Sequence, residues 1–187
     1  MIIIAGLGNP GKEYENTRHN VGALLIEHLA KTWGVKSFKE QKKLEAYTAL
    51  ISISGTKVIL VRPNVFMNEN GRPIAKTKSF YKVKNENIWV IHDELDIPLG
   101  KFKISVGRSA AGHNGVVSVI SCLKGNNFYR WRIGIGSELK KKGREFVLSN
   151  FSKEEQKALP RLFKDIAASI ETAISSTPEK AMNEFNK

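Results

Sequence analysis

The apolar residues of this chain fall into two alternating kinds of segment, and that alternation limits the fold more than any other feature. Short apolar runs suited to strands occur at residues 2–5 and in "AYTALISI" and "TKVILVRP", on either side of "SGT". Others follow in "NIWVIHDELD", "KFKISVG" and "YRWRIGIG". Between them lie segments of helical period. "HNVGALLIEHLAKTWG" repeats apolar residues at Val21, Leu24, Leu25, Leu29 and Trp33 and stops at Gly34. Residues 67–82 read as a second helix, weakened by Pro73, and "GVVSVISCLK" as a third. From Ser152 onward the chain is helical with a break near Pro178, and Ser152 with Glu155 forms a capping box. Strands interleaved with helices predict a layered α/β fold, and the hairpin at "SGT" makes its twisted β-sheet mixed, with helices flanking it. With 187 residues and no repeat or linker, one domain spanning 1–187 is expected.

Charge narrows the class of partner. The chain has 30 Lys and Arg against 18 Asp and Glu, a net charge of +12. So basic a balance favours a polyanion, nucleic acid first and an anionic membrane surface second. No apolar run approaches the length of a membrane span, and "MIII" is too short for a secretory signal, so a cytoplasmic protein is expected. The single cysteine, Cys122, excludes an internal disulfide and a multi-cysteine zinc site. Its place in "VVSVISCL" predicts a buried, inert thiol.

The stretch "GLGNPG" at residues 6–11 has the G-x-G-x-x-G spacing of a dinucleotide-binding turn. A working fingerprint opens a helix inside the motif and places an acidic residue about 20 positions on. Here "KEYENTR" follows Gly11 with no apolar period until Val21, and Glu27 falls within the helix. The pattern therefore reads as a glycine-rich loop leaving the first strand, presenting Asn9 where ligands of open α/β sheets bind.

Four histidines are available. His19 precedes the first helix, His28 lies within it, and His92 points away from Asp93 by strand alternation. His113 sits in "GRSAAGHNG", a loop opening onto a helix N-terminus whose free N–H groups suit an anion or a carbonyl. Asp93, Glu94 and Asp96 in "HDELD" have three readings: a metal site, a solvated turn before Pro98, or a carboxylate that orients a histidine. If the first strand and the "HDELD" strand are neighbours, His19 and Asp93 emerge at one edge. Asn9, Asn68 and Asn114 supply amides that donate and accept without titrating, which suits a peptide backbone. By pattern alone "FMNENG" reads as a helix cap with a packed Met67.

Taken in order, "GLGNPGKEYENTRHNVG", "FMNENG", "HDELDIPLGKFK", "GRSAAGHNG" and "WRIGIG" closely resemble the bacterial-type peptidyl-tRNA hydrolase family, over residues from about 2 to 151. The resemblance implies a monomeric, metal-free α/β hydrolase without a cofactor. Such an enzyme cleaves the ester joining a peptide to the terminal ribose of tRNA. It implies His19 as general base and Asp93 as its orienting partner. Asn68 and Asn114 would hold the peptide or the attacking water, with Asn9, Tyr14, Met67 and His113 around them. Lys101, Lys103 and Arg132 match positions that contact the tRNA backbone, and the helix N-terminus after "GRSAAGHNG" would add N–H groups for phosphate. Lys140, Lys141, Lys142 and Arg144 in "LKKKGREF" would extend that surface. The chain departs from the family at Val65, commonly Thr, at Asn70, often Ser, and in the short "IPLGKFK". The competing classes are an RNA-binding protein without hydrolysis and an oxidoreductase on the glycine motif.

Overall fold

The computed structural model describes residues 1–136 and 143–186. Seven strands form one mixed sheet in the order β2-β3-β4-β1-β5-β7-β6. Its centre is parallel: β1 (Ile2–Gly6) lies between β4 (Thr56–Pro63) and β5 (Ile88–Pro98), and β5 pairs with β7 (Tyr129–Gly136). Both margins are antiparallel, through β2 (Lys39–Gln41) and β3 (Ala46–Ile53) on one side and β6 (Phe102–Val106) on the other. The expected hairpin joins β3 to β4 through Ser54 and Gly55, both at positive φ as a tight two-residue turn requires.

Helices cover both faces, which is why the central strands carry unbroken apolar runs. Alternate residues of β1 and β5, such as Ile4, Trp89 and Ile91, pack under α1 (Val21–Thr32) and α5 (Lys153–Ser175). Ile3, Ala5, Ile88 and Val90 pack on the opposite face with α2 (Gly71–Tyr81) and α3 (Asn114–Leu123). Pro73 does not disturb α2, because it sits in the first turn, where N–H groups have no helical partner. The capping box of Ser152 and Glu155 is present, and the predicted break separates α5 from α6 (Pro178–Phe185), capped by Thr177. Among the described residues no helix is long and apolar enough to cross a membrane. One expectation is corrected: Cys122 is exposed, because Val116, Val119 and Leu123 take the core face of α3 and leave the thiol on the outer one.

The start of α1 is held unusually close to the sheet. Leu7 extends the ladder by donating to Ile91 O at 2.9 Å, and Ala23 N donates to Leu7 O at 3.1 Å. A Cβ on Gly22 would stand 2.4 Å from Ile91 O, and one on Gly6 would stand 2.2 Å from Gly22 O. Backbone cannot yield at those distances. Gly22→Ala is therefore expected to destabilise the fold by about 2 kcal/mol or more in urea denaturation; an unchanged midpoint would show that the helix can move away freely.

Candidate active site

β1 and β5 are neighbours and pair as far as Gly6 and Ile91, so the loop leaving β1 opens beside the Asp93 stretch, midway along β5, and β4 and β5 lie on opposite sides of β1. That is the place where open α/β sheets bind ligands. A cleft of about 730 Å³ opens there. His19, Asp93, Asn9 and Tyr14 line it, and so do Met67, Asn68, His113 and Asn114, the remaining cleft residues expected from the sequence. The glycine motif forms one wall without starting a helix: a short 3-10 turn at Lys12–Tyr14 follows it, and α1 begins only at Val21.

The floor is a hydrogen-bonded triplet around a buried carboxylate. His19, in the 3-10 turn Arg18–Asn20, places Nδ1 at 2.9 and 3.0 Å from the two Asp93 oxygens. His113 places Nε2 at 2.8 Å from Asp93 Oδ1. The proton positions follow from the neighbours. His113 caps α3, and its Nδ1 accepts from Gly115 N at 3.1 Å and Val116 N at 3.3 Å. An accepting Nδ1 carries no proton, so the proton of neutral His113 is on Nε2 and is donated to Asp93. A carboxylate only accepts, so His19 Nδ1 is a donor as well, and its Nε2 is left with a free lone pair. Burial would raise the Asp93 carboxyl, but His113 and then His19 outweigh it and hold it well below the usual carboxylate range.

Two expectations change here. The Gly115 and Val116 N–H groups of α3 are engaged by the His113 side chain and are not open to a phosphate. His92 does leave the strand on its own side, yet His113 reaches over the strand end and meets it ring to ring at 4.8 Å. Burial, followed by the proximity of His113, pushes His92 well below the usual imidazole range, and it stays neutral behind the site.

The Asp93 and Glu94 carboxylates of "DELD" have different partners. Glu94 accepts from Arg132 Nε at 3.1 Å, and Asp93 is held by the two imidazoles. Among the described residues, the group with metal-ligand spacing is instead His19, Asp93 and His113, whose ligand atoms lie within 4.8 Å of one another. Its donors and acceptors already complement each other, because both imidazole nitrogens facing Asp93 carry protons. Turning His113 Nε2 into a ligand would move its proton to Nδ1 and break the helix cap.

Amides fix the surrounding loops. Asn20 clasps Asn9 through both backbone groups, accepting from its N at 2.8 Å and donating to its O at 2.9 Å. Asn9 Oδ1 in turn accepts from Met67 N at 2.8 Å. Asn70, fully buried, accepts from Gly8 N at 3.0 Å, and its Nδ2 lies 3.0–3.1 Å from Gly8 O, Val65 O and Phe66 O. Asn20 and Asn70 were not expected as site residues. Their only sequence signal is an amide beside a motif residue. Asn68 and Asn114 differ from them: both are exposed in the cleft and hydrogen-bonded to no other described residue.

With this geometry in view, the comparisons are decisive. The family model for peptidyl-tRNA hydrolase matches residues 3–187. The chain belongs to the peptidyl-tRNA hydrolase family. It is 42% identical over 187 residues to the peptidyl-tRNA hydrolase of Bacillus subtilis, covering 100% of this chain and 98% of the relative. To that of Mycolicibacterium vanbaalenii it is 41% identical over 183 residues, covering 97% and 95%. The crystal structure of peptidyl-tRNA hydrolase from Acinetobacter baumannii superimposes with a TM-score of 0.91 at 32% identity, covering 100% of this chain and 94% of that one. The match to this family runs through α5 and α6, beyond the limit near residue 151 that the motifs suggest.

The basic residues expected at the tRNA backbone lie outside the cleft of this hydrolase. Lys103 on β6 faces Arg132 on β7 across the ladder, and Lys101 precedes it in the same edge. Lys101 and Lys103 are exposed, while Arg132 is held by Glu94. Lys140, Lys141 and Lys142 lie outside the described residues; Arg144 lines the cleft from α4 (Arg144–Leu148).

Because the folded-state pKa of Asp93 is depressed, its ionised form stabilises the fold above the ordinary carboxyl pKa of about 4, and this is lost as pH falls toward the folded value. Thermal melts of wild type and Asp93→Asn should differ by a constant gap above about pH 5, with the gap narrowing as the pH falls below about 4. A gap independent of pH would mean that the buried carboxyl is not ionised.

Proposed function

We propose that this hydrolase cleaves the ester between the peptide C-terminus and the terminal ribose of peptidyl-tRNA, with water activated at His19. The observation that carries the reading is the division of proton roles around Asp93: His113 is fixed as a neutral donor, which leaves His19 Nε2 as the basic atom in the cleft. A water on Nε2 loses its proton to the imidazole as its oxygen attacks the ester carbonyl. Asp93 stabilises the imidazolium and keeps the ring in the tautomer that presents Nε2. The same imidazolium then returns its proton to the departing ribose oxygen. Asn68 and Asn114 offer uncommitted amides to the oxyanion or the peptide backbone, beside a wall made by Asn9, Tyr14 and Met67. General-base help contributes about 10²–10⁴ in rate and one oxyanion donor about 10²–10³. Those magnitudes suit an activated ester, and no Ser or Cys nucleophile is required.

Hydrolysis of an N-blocked aminoacyl-tRNA tests the assignment. Wild type should cleave it with or without a chelator, whereas His19→Ala and Asp93→Asn should lose about 10²–10⁴ in kcat with little change in KM. A His19→Ala variant that kept its kcat would refute the general base. Binding of the tRNA without cleavage by wild type would favour an RNA-binding protein on this fold.

The excess positive charge fits the nucleic-acid half of the substrate. Lys101 and Lys103, with Arg132 behind them, would follow the tRNA backbone, a contact that is independent of sequence and weakened by salt. The protein would act as a monomer in the cytoplasm, where peptidyl-tRNA arises, without a membrane partner. Replacing Lys101 and Lys103 by Ala should lower the slope of log K against log salt by about one per lost phosphate contact. An unchanged slope would move the tRNA contact elsewhere.

A further inference from the structure

Helix α4 supplies Arg144, Val147 and Leu148 to the cleft, yet it has only 5 residues. A helix that short has no stability of its own in water. Phe146 and Val147 pack against the core, and Arg18, the residue before His19, ties down the end of the helix. The Arg18 side chain is buried, with 8% exposed. Its Nη1 donates to Ser149 Oγ at 2.7 Å, Asn150 O at 2.5 Å and Ser149 O at 3.2 Å. Its Nη2 meets Glu155 Oε2 at 2.5 Å. The guanidinium lies over the Phe146 ring at 4.5 Å and the Phe151 ring at 5.3 Å. The backbone joins in, since Arg18 N donates to Ser149 O at 3.1 Å and Thr17 pairs with Asn150.

Every one of these side-chain contacts is made to residues 146–155, and none to His19 or Asp93. Glu155 Oε2 also accepts from Ser152 N at 2.7 Å, so one carboxylate both caps α5 and neutralises the buried cation. Only a planar, forked cation reaches two carbonyls, a hydroxyl and a carboxylate while stacking on two rings; an ammonium on a flexible stem does not.

We propose that Arg18 is a positioning residue that holds the α4 wall of the cleft against the turn carrying His19, and so sets substrate affinity rather than the chemical step. The inference rests on His19 as the base only in that it names what the wall is held against. Substrate bound between wall and floor meets a preformed surface; without the clamp, binding must also order α4.

The test is steady-state hydrolysis of an N-blocked aminoacyl-tRNA by Arg18→Lys, Leu148→Ala and the double variant, with Ile170→Ala in the α5 core as a control for lost stability. Arg18→Lys is expected to raise KM about tenfold, with kcat and its pH profile unchanged. The double variant should raise KM by less than the product of the two single effects, because the clamp and Leu148 act on the same wall. Ile170→Ala should lower the melting temperature without raising KM. An unchanged KM, additive effects, or an equal rise in Ile170→Ala would overturn the proposal. Failure of the general-base reading is separately visible, as residual kcat in His19→Ala, and does not affect the KM comparison.

Discussion

A carboxylate buried away from water must be given hydrogen-bond donors, and the site is organised around meeting that demand at Asp93. The residue is 3% exposed, and its oxygens accept hydrogen bonds from two imidazoles on separate segments, His19 before α1 and His113 before α3. Neither histidine could do this alone. His113 is a dependable donor only because two α3 N–H groups hold its other nitrogen as an acceptor. The helix N-terminus thus acts on the proton of an imidazole, and through it on the charge of Asp93, which in turn orients the only other ring. One buried charge ties two helix starts to one strand end.

Such an arrangement tolerates little movement, and the fold limits movement by close approach. Gly6 and Gly22 let α1 rest directly on the exit of β1, and Gly71 lets α2 rest on α3, where a Cβ would stand 2.2 Å from Ser118 O. Asn20 and Asn70 then fasten the loop between them, each pairing with the backbone on both sides as a β-bridge would. The loop bearing Asn9 has no sheet partner of its own, so these amides stand in for the missing ladder. The Asn70 amide makes a double contact with Gly8, accepting from its N and donating to its O.

Elements with a period were readable in the sequence. The apolar runs of β1 and β5, the repeat in α1, the hairpin at Ser54 and Gly55 and the capping box at Ser152 are local patterns, and each formed where local physics places it. The cleft membership of His19, Asp93, Asn68 and Asn114 was readable from motif order, since motifs at strand ends converge once the strands are adjacent. Side chains whose partners are distant backbone carry no such pattern. Arg18 reaches residues 149–155 across most of the chain, Asn70 reaches Gly8, and His113 turns its ring back onto its own helix. The exposure of Cys122 was obscured differently: nearly every residue of "VVSVISCL" is apolar, so composition alone does not mark the outer face of α3.

Charge bookkeeping across the cleft explains why neutral amides suffice around the base. Before reaction the triplet holds one negative charge, on Asp93, beside two neutral imidazoles. On the proposed reading of His19 as the base, the imidazolium and Asp93 would become a close pair as His19 takes a proton from water and the triplet would become neutral, while the new negative charge would develop on the ester oxygen. The proposed transition state would therefore separate no charge over a long distance, and Asn68 and Asn114 would need only to solvate an oxyanion that faces a cation. A free lysine or arginine at the cleft floor would compete with the imidazolium for Asp93 and lower the basicity of His19. Among the described residues, Lys101 and Lys103 instead stand at the edge, Arg132 is paired to Glu94 and Arg18 to Glu155, and Arg144 lines the cleft from α4 rather than its floor.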